Sequence, residues 1–221
     1  MVSQANDGPE HPGAADAGLS GNPQASNVSE KHEPTAGYRM NHVMLRIRDP
    51  EPSLDFYIRL MGMKMIFTAN TGPFTIYYLG YPQSSEHRAD PESFARDVRS
   101  HSTLTRTLGL LELCHYHGSE LQPSSYTSTG NDPPHLGFNH LGFTVPNVKE
   151  AVTRLKEAGM RVVKEVQGGP IDGIPITQWE KEKGIATAEL SHHFENIFRQ
   201  IAFVQDPDGY LVELVPNDLE E

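Results

Sequence analysis

Polar and apolar residues alternate along several short stretches of the chain, and the first stretch lies at residues 41–48. A period of two places successive side chains on opposite faces of a β-strand. Asp49 and Pro50 then favour the start of a helix, whose apolar stripe runs to Gly62, a natural helix stop. The alternation places two sets of side chains on opposite faces: His42, Met44 and Arg46 on one, and Val43, Leu45 and Ile47 on the other.

Three extended apolar stretches follow this helix and predict further strands. They are residues 63–69, 74–79 and 108–114. Residues 82–107 between the last two are polar and charged, so we predict a surface excursion there.

The same order of elements begins again in the second half. Residues 138–145 predict a strand, and the helical stripe after it ends at Gly159. A strand at residues 161–166 precedes a polar stretch, and the turn sequence of residues 206–209 joins the last two strands. These strands are expected near residues 201–204 and 210–215.

The two halves are an internal repeat whose landmarks recur at nearly constant offset. His42 recurs as His140 after 98 positions, and Glu112 recurs as Glu213 after 101. Matched spacing of this kind indicates two copies of one supersecondary unit. The sequence therefore predicts an α+β fold of two tandem βαβββ modules.

The predicted boundaries place the first module at residues 38–125, a linker at 126–137 and the second module at 138–218. The second module carries a long insertion near 168–196. Residues 1–37 contain almost no large apolar side chain, so we predict a disordered N-terminal tail. A short partner-binding motif in this tail is the alternative interpretation.

Composition narrows the range of partners. The formal net charge of −11 argues against nucleic acid or an anionic membrane as the main partner. No apolar run is long enough to span a bilayer, and the N-terminus resembles neither a signal nor a transit peptide. Cys114 is the single cysteine, so no disulfide forms within the chain, and we predict a cytoplasmic location.

Four residues in the repeated strands are candidate metal ligands. His42, Glu112, His140 and Glu213 each lie within a predicted strand, and apolar residues flank both glutamates. Imidazole and carboxylate together suit zinc, nickel, cobalt or iron. For either glutamate alone, the solvent face of an edge strand is the better interpretation, but the matched repeat favours a metal site for the four residues together.

Arg46 shares the predicted strand face of His42 and is a candidate for holding a substrate carboxylate. An ordinary structural salt bridge is the alternative role.

Four stretches of the sequence resemble eukaryotic glyoxalase I, a member of the vicinal oxygen chelate superfamily. They are MLRIRDPEPSLDFYIRLMGM at 44–63, LEL at 111–113, GFNHLG at 137–142 and FVQDPDGYLVE at 203–213. The resemblance covers about residues 38–216. It implies one divalent metal ion per site, held by the four candidate ligands. Histidine at position 42 is more like the bacterial form of the family, so nickel and cobalt are candidate metals as well as zinc.

The resemblance also implies a reaction and roles for individual residues. The hemithioacetal of methylglyoxal and glutathione would be isomerised to S-lactoylglutathione by proton transfer through an enediolate, which the metal stabilises. Glu213 would be the main base, with Glu112 opposite it. Arg46 would hold the γ-glutamyl end of glutathione and Lys164 the glycyl end.

The chain departs from the family pattern at some glutathione-binding positions. Tyr116 stands where the family has an asparagine that helps to hold glutathione, and residues 134–136 lack an arginine found there. A related isomerase, epimerase or dioxygenase acting on a metabolite without glutathione is therefore the alternative function. A non-catalytic binding module is a third.

The resemblance favours a homodimer in which each site takes His42 and Glu112 from one subunit and His140 and Glu213 from the other. Closure of the site within one chain is the alternative, since the linker could serve either arrangement.

Overall fold

The computed structural model describes residues 34–219, and the predicted tail lies outside them except for a turn at its end. Each half of this region folds around one four-stranded sheet. The first sheet comprises β1 (His42–Ile47), β2 (Lys64–Asn70), β3 (Phe74–Gly80) and β4 (Leu110–Tyr116). The second comprises β7 (His140–Val145), β8 (Val162–Lys164), β9 (Ala202–Gln205) and β10 (Leu211–Pro216). A two-stranded hairpin, β5 (Asn131–Asp132) and β6 (His135–Leu136), lies between them.

The two sheets have the same topology. The strand orders are β1-β4-β3-β2 and β7-β10-β9-β8. In each sheet the first and last strands of the module pair in parallel, and the remaining pairs are antiparallel. The first strand of each module is therefore an edge strand. These sheets confirm the predicted α+β fold of two tandem βαβββ units.

One helix follows the first strand of each module, as predicted. In the first module α1 (Pro50–Leu54) continues as a π-helical turn (Asp55–Leu60), and the Asp49 side chain caps its start. In the second module α5 (Val148–Glu157) carries out the same connection. Gly62 and Gly159 follow these helices with φ of +80° and +82°, a conformation that glycine adopts without strain.

The helix-facing sides of both sheets share one hydrophobic core. Buried residues of the first module, such as Phe56 and Leu113, belong to the same cluster as Leu155 and Leu214 of the second. Alternation along β1 agrees with this arrangement, because Leu45 and Ile47 are buried while His42 and Arg46 are exposed. The opposite faces of the sheets carry the four candidate metal ligands.

Hydrogen bonds across the shared core also join the modules. The Tyr57 hydroxyl donates to Asp206 Oδ2 (2.7 Å), and the Ser53 hydroxyl donates to Asp208 Oδ2 (2.6 Å). The Arg48 amide donates to Asp208 as well. Burial raises the pKa of Asp206 to about 7, against the opposing effect of its hydrogen bond from Tyr57.

The prediction of a surface excursion at residues 82–107 is wrong in part. This segment forms α2 (Ser85–Ala89), α3 (Pro91–Val98) and α4 (His101–Leu104). Phe94 and Val98 of α3 are buried against Ile66, Tyr78 and Leu110. Two apolar residues of this eight-residue helix therefore anchor an otherwise polar segment on the ligand-bearing face of the first sheet.

The insertion in the second module is also partly helical, with α6 (Gln178–Glu182) and α7 (His192–Gln200). Phe198 of α7 packs against Phe203 and Leu211 of the second sheet. Within residues 34–219, none of the helices has the length and apolar character required to cross a membrane.

Candidate metal centre

The first half-site is a histidine and a glutamate on neighbouring parallel strands. His42 begins β1, and Glu112 lies in the middle of β4, two positions beyond the residue that pairs with His42. His42 Nε2 and Glu112 Oε2 are 3.4 Å apart. The imidazole keeps 38% of its surface exposed and the carboxylate 15%, so both groups are reachable from solvent.

The second half-site repeats this geometry. His140 begins β7, Glu213 lies in β10, and the strand register is the same as in the first module. His140 Nε2 and Glu213 Oε2 are 3.3 Å apart. The repeat detected in the sequence therefore appears as two matched pairs of side chains.

An asparagine orients the imidazole in each half-site. Asn41 Oδ1 lies 2.9 Å from His42 Nδ1, and Asn139 Oδ1 lies 2.6 Å from His140 Nδ1. Because a carboxamide oxygen only accepts hydrogen bonds, each Nδ1 is the donor in this contact, and each Nε2 is turned toward the glutamate of its own pair. A metal-binding histidine is held in this way, with its second nitrogen donating to an outer oxygen.

The donor spacing fits a divalent ion. Ligand bonds of about 2.1 Å separate neighbouring donors by about 3.0 Å in octahedral and about 3.4 Å in tetrahedral coordination. The observed 3.4 Å and 3.3 Å fall in that range. They exceed the length of about 2.8 Å expected for a charged hydrogen bond. Each pair is thus suited to bind one ion from one side.

Each half-site supplies only two donors. Among residues 34–219, no three histidine, cysteine, aspartate or glutamate side chains converge in a geometry that could hold a metal. The fold of one chain therefore does not bring the His42 pair and the His140 pair into one cluster. A four-ligand site requires the two half-sites to meet across a subunit boundary or by movement of the modules.

Arg46 and Tyr116 come together beside the first half-site. The Arg46 guanidinium lies 4.6 Å from the centre of the Tyr116 ring. Arg46 also pairs with Cys114, which is buried on the same sheet face, and burial raises the pKa of this thiol. The stacking leaves the guanidinium exposed and supported, which suits it to bind an anion.

Lys164 lies on the ligand-bearing face of the second sheet, where it pairs with Phe203. It is buried, and its amine donates to the backbone carbonyls of Phe198 (2.6 Å) and Ile201 (2.7 Å) at the end of α7. Burial lowers the pKa of Lys164 to about 8, although the charge of Glu213 opposes this shift. Its predicted contact with the glycyl end of a substrate stays a prediction.

Several residues in the site were not singled out from the sequence. Asn41 and Asn139 could have been identified from the sequence, because an Asn-His pair occurs at the start of both repeats. No sequence pattern identifies Tyr78, since its place beside Glu112 follows from the register of β3 and β4.

Comparison with known proteins defines the family of this chain. Residues 39–214 match the model of the Glyoxalase/Bleomycin resistance protein/Dioxygenase superfamily. The chain belongs to that superfamily.

Several relatives carry the name of one activity. Lactoylglutathione lyase of Pseudomonas aeruginosa is 33% identical over 84% of this chain and 86% of its own length. Lactoylglutathione lyase of Schizosaccharomyces pombe is 31% identical over 81% of this chain and 45% of its own length. The solved structure of the trypanothione-dependent glyoxalase I of Leishmania major is 22% identical over 81% of this chain and 86% of that chain, with a TM-score of 0.48.

Proposed function

We propose that this protein is a metal-dependent glyoxalase I, a carbon-sulfur lyase that isomerises the hemithioacetal of methylglyoxal and glutathione to S-lactoylglutathione. The observation that carries the proposal is the pair of matched half-sites, each with a histidine and a glutamate 3.3–3.4 Å apart. The lactoylglutathione lyases of Pseudomonas aeruginosa and Schizosaccharomyces pombe support the choice of reaction.

His42, Glu112, His140 and Glu213 would hold one divalent ion, zinc or else nickel or cobalt. When bound, the ion supplies Lewis-acid stabilisation of negative charge on the substrate oxygens. Glu213 removes the proton from one substrate carbon and returns it to the neighbouring carbon, and Glu112 lies on the opposite side. Asn41 and Asn139 keep both imidazoles in the tautomer that can bind a cation.

Arg46 would bind a carboxylate of the glutathione moiety. Its guanidinium projects from the same sheet face as His42 and is supported by the Tyr116 ring. Arginine presents a fork of donors that matches the two oxygens of a carboxylate. Lys164 would approach the glycyl carboxylate only if its amine exchanged a carbonyl of α7 for the substrate.

The functional unit that we propose is a homodimer with two shared sites. Large exposed apolar residues surround the starts of the two histidine-bearing strands, as expected where a second subunit packs. They are Tyr38, Met40, Met44, Leu108, Leu136 and Phe138. A cavity of about 630 Å³ between the edges of β1 and β7 includes Met40, Phe138 and His140. Pairing across this region would bring the His42 pair of one subunit to the His140 pair of the other.

The test is a spectrophotometric assay of thioester formation from methylglyoxal and glutathione. The protein is stripped of metal, and zinc, nickel or cobalt is added back separately. We expect turnover to depend on the added metal. Absence of turnover with every metal would contradict the proposal.

The engagement of Lys164 with α7 favours a second candidate function. An amine that donates to the carbonyls of Phe198 and Ile201 offers less to a glycyl carboxylate. A related isomerase, epimerase or dioxygenase acting on a metabolite without glutathione would use the same metal ligands. Metal-dependent turnover of such a substrate, with none of the glutathione adduct, would select it.

A further inference from the structure

The two half-sites differ by one hydroxyl group at matched positions. Tyr78 of β3 pairs with Glu112, and Phe203 of β9 pairs with Glu213. Each ring lies edge-on to the histidine of its own half-site. The ring centres are 5.5 Å apart for Tyr78 and His42, and 5.4 Å apart for Phe203 and His140.

The Tyr78 hydroxyl points at the first ligand pair. It lies 3.5 Å from His42 Nε2. Glu112 Oε2 lies 3.4 Å from the same nitrogen, and Tyr78 and Glu112 are direct neighbours across β3 and β4, so the hydroxyl is placed to donate to this carboxylate. Phe203 offers no donor to Glu213.

Packing fixes the position of this hydroxyl. The Tyr78 ring stacks on Phe67 with ring centres 4.7 Å apart and an interplanar angle of 15°. Phe94 and Val98 of α3 cover the same cluster. The buried ring therefore has little freedom, and its hydroxyl is directed at the ligand pair.

The other neighbour of each glutamate differs as well. Met44 of β1 pairs with Glu112, whereas Gly142 of β7 pairs with Glu213. A Cβ at Gly142 would lie 3.5 Å from Glu213 Oε2, so the missing side chain leaves space beside this carboxylate. Glu112 has a side chain on both sides, and Glu213 has an aromatic ring on one side only.

We propose that Tyr78 is a positioning residue whose hydroxyl holds Glu112 as a fixed metal ligand, while Glu213, with Phe203 and Gly142 beside it, is left free to move. This inference rests on the proposed function. A donor to a carboxylate ligand fixes its orientation and strengthens its hold on a cation. A base that must leave the ion and reach a carbon needs the opposite, a carboxylate without such a donor.

The test removes the hydroxyl from one half-site and adds it to the other. Tyr78→Phe should weaken cobalt binding to the full-length protein by about tenfold, a typical loss for an outer partner of a metal ligand. Binding is measured by chelator competition and by the visible absorption of the bound cobalt. Phe203→Tyr should lower kcat while leaving KM within about twofold, because Glu213 would then be held by a donor.

Tyr77→Phe is the matched control. Tyr77 lies on the same strand with its ring against the shared core, on the other face of the sheet. Its cobalt affinity should equal that of the wild-type protein. Unfolding temperatures of the metal-free variants separate a loss of affinity from a loss of fold.

The outcomes distinguish a failure of the proposed role of Tyr78 from a failure of the proposed function. Equal cobalt affinity of Tyr78→Phe and Tyr77→Phe, with a wild-type protein that binds cobalt, would overturn the role of Tyr78 and leave the proposed function standing. A wild-type protein that binds no divalent metal would overturn both. If Tyr78→Phe fails to fold, Phe203→Tyr decides, and an unchanged kcat there contradicts the inference.

Discussion

The two modules share a histidine-glutamate pair and the asparagine beside the histidine, but several other side chains around the two pairs differ. His42 and His140 occupy equivalent positions in two sheets of the same topology. Four strand positions later, however, the first module has Arg46 and the second has Thr144. Under the proposed function each pair would bind a metal ion, which accepts few donor types and a narrow range of donor spacing. Contacts to the rest of a substrate carry no such requirement.

The segments that cover the two sheets differ in the same way. The helical segment of the first module connects β3 to β4, and that of the second connects β8 to β9. Each nevertheless places a buried phenylalanine, Phe94 or Phe198, on the ligand-bearing face. The second segment also binds the amine of Lys164, whereas Phe67 occupies the matching place in the first module. The two sheets thus have the same topology, but different helical segments cover their ligand-bearing faces.

The largest expected effect is a loss of kcat when Glu213, and not Glu112, is replaced, because Glu213 is the proposed base. Glu213→Gln should lower kcat by about a thousandfold, because an amide cannot accept the substrate proton. The unfolding temperature of the metal-free protein should change little, since Glu213 is only half-buried. Glu112→Gln should show the larger loss of metal affinity. A Glu213→Gln enzyme with a near-normal rate would show that the base is misassigned.

The two asparagines should have equal roles at the metal and unequal roles in folding. Asn41→Ala and Asn139→Ala should each weaken metal binding by about tenfold or more. Asn41 Nδ2 also donates to the carbonyls of Leu104 and Thr107, both at 2.7 Å. Asn41→Ala should therefore destabilise the protein by about 1–3 kcal/mol more than Asn139→Ala, as measured by denaturant unfolding. Equal stabilities of the two variants would show that the additional hydrogen bonds of Asn41 do not contribute to folding.

A smaller effect tests the substrate contact that we propose for Arg46, which has no counterpart in the second module. Arg46→Met keeps the aliphatic stem but removes the guanidinium, and we expect KM to rise by about tenfold with little change in kcat. Thr144→Val at the matching position should change KM by less than about twofold. A similar KM for both variants would argue that the anion is bound elsewhere.

The smallest effect concerns the junction of the modules. The pKa of Asp206 is about 7 in the fold, above its usual value, so the folded protein keeps a proton that the unfolded chain loses between about pH 4 and pH 7. The contribution of Asp206 to stability therefore falls as pH rises through that window. Asp206→Asn removes this dependence.

The unfolding temperature of Asp206→Asn, relative to the wild-type protein, should increase between pH 5 and pH 8. Asp218→Asn, which changes an exposed carboxylate, is the control and should show no such trend. A flat difference for Asp206→Asn would show that its three hydrogen-bond donors fully compensate for burial.

The strands could be predicted because period-two alternation is a local pattern. The meeting of His42 with Glu112 and of His140 with Glu213 could be predicted because the repeat has a nearly constant offset along the chain. The role of α3 was missed because two buried residues in a polar helix, Phe94 and Val98, give a weak local signal. The amine contacts of Lys164 depend on where α7 docks, and no pattern near residue 164 contains that information. Tyr78 similarly acquires its neighbours only through sheet register.

The claim that two half-sites from different subunits complete one another has a direct test. Inactive His42→Ala and inactive Glu213→Ala proteins are unfolded together, refolded as a mixture and assayed. If each site combines the His42 pair of one subunit with the His140 pair of the other, a mixed dimer has one site with both lesions and one intact site. Random pairing should then restore about a quarter of wild-type activity. If all four ligands of a site come from one chain, every site keeps a lesion, and the absence of any recovered activity would contradict the account.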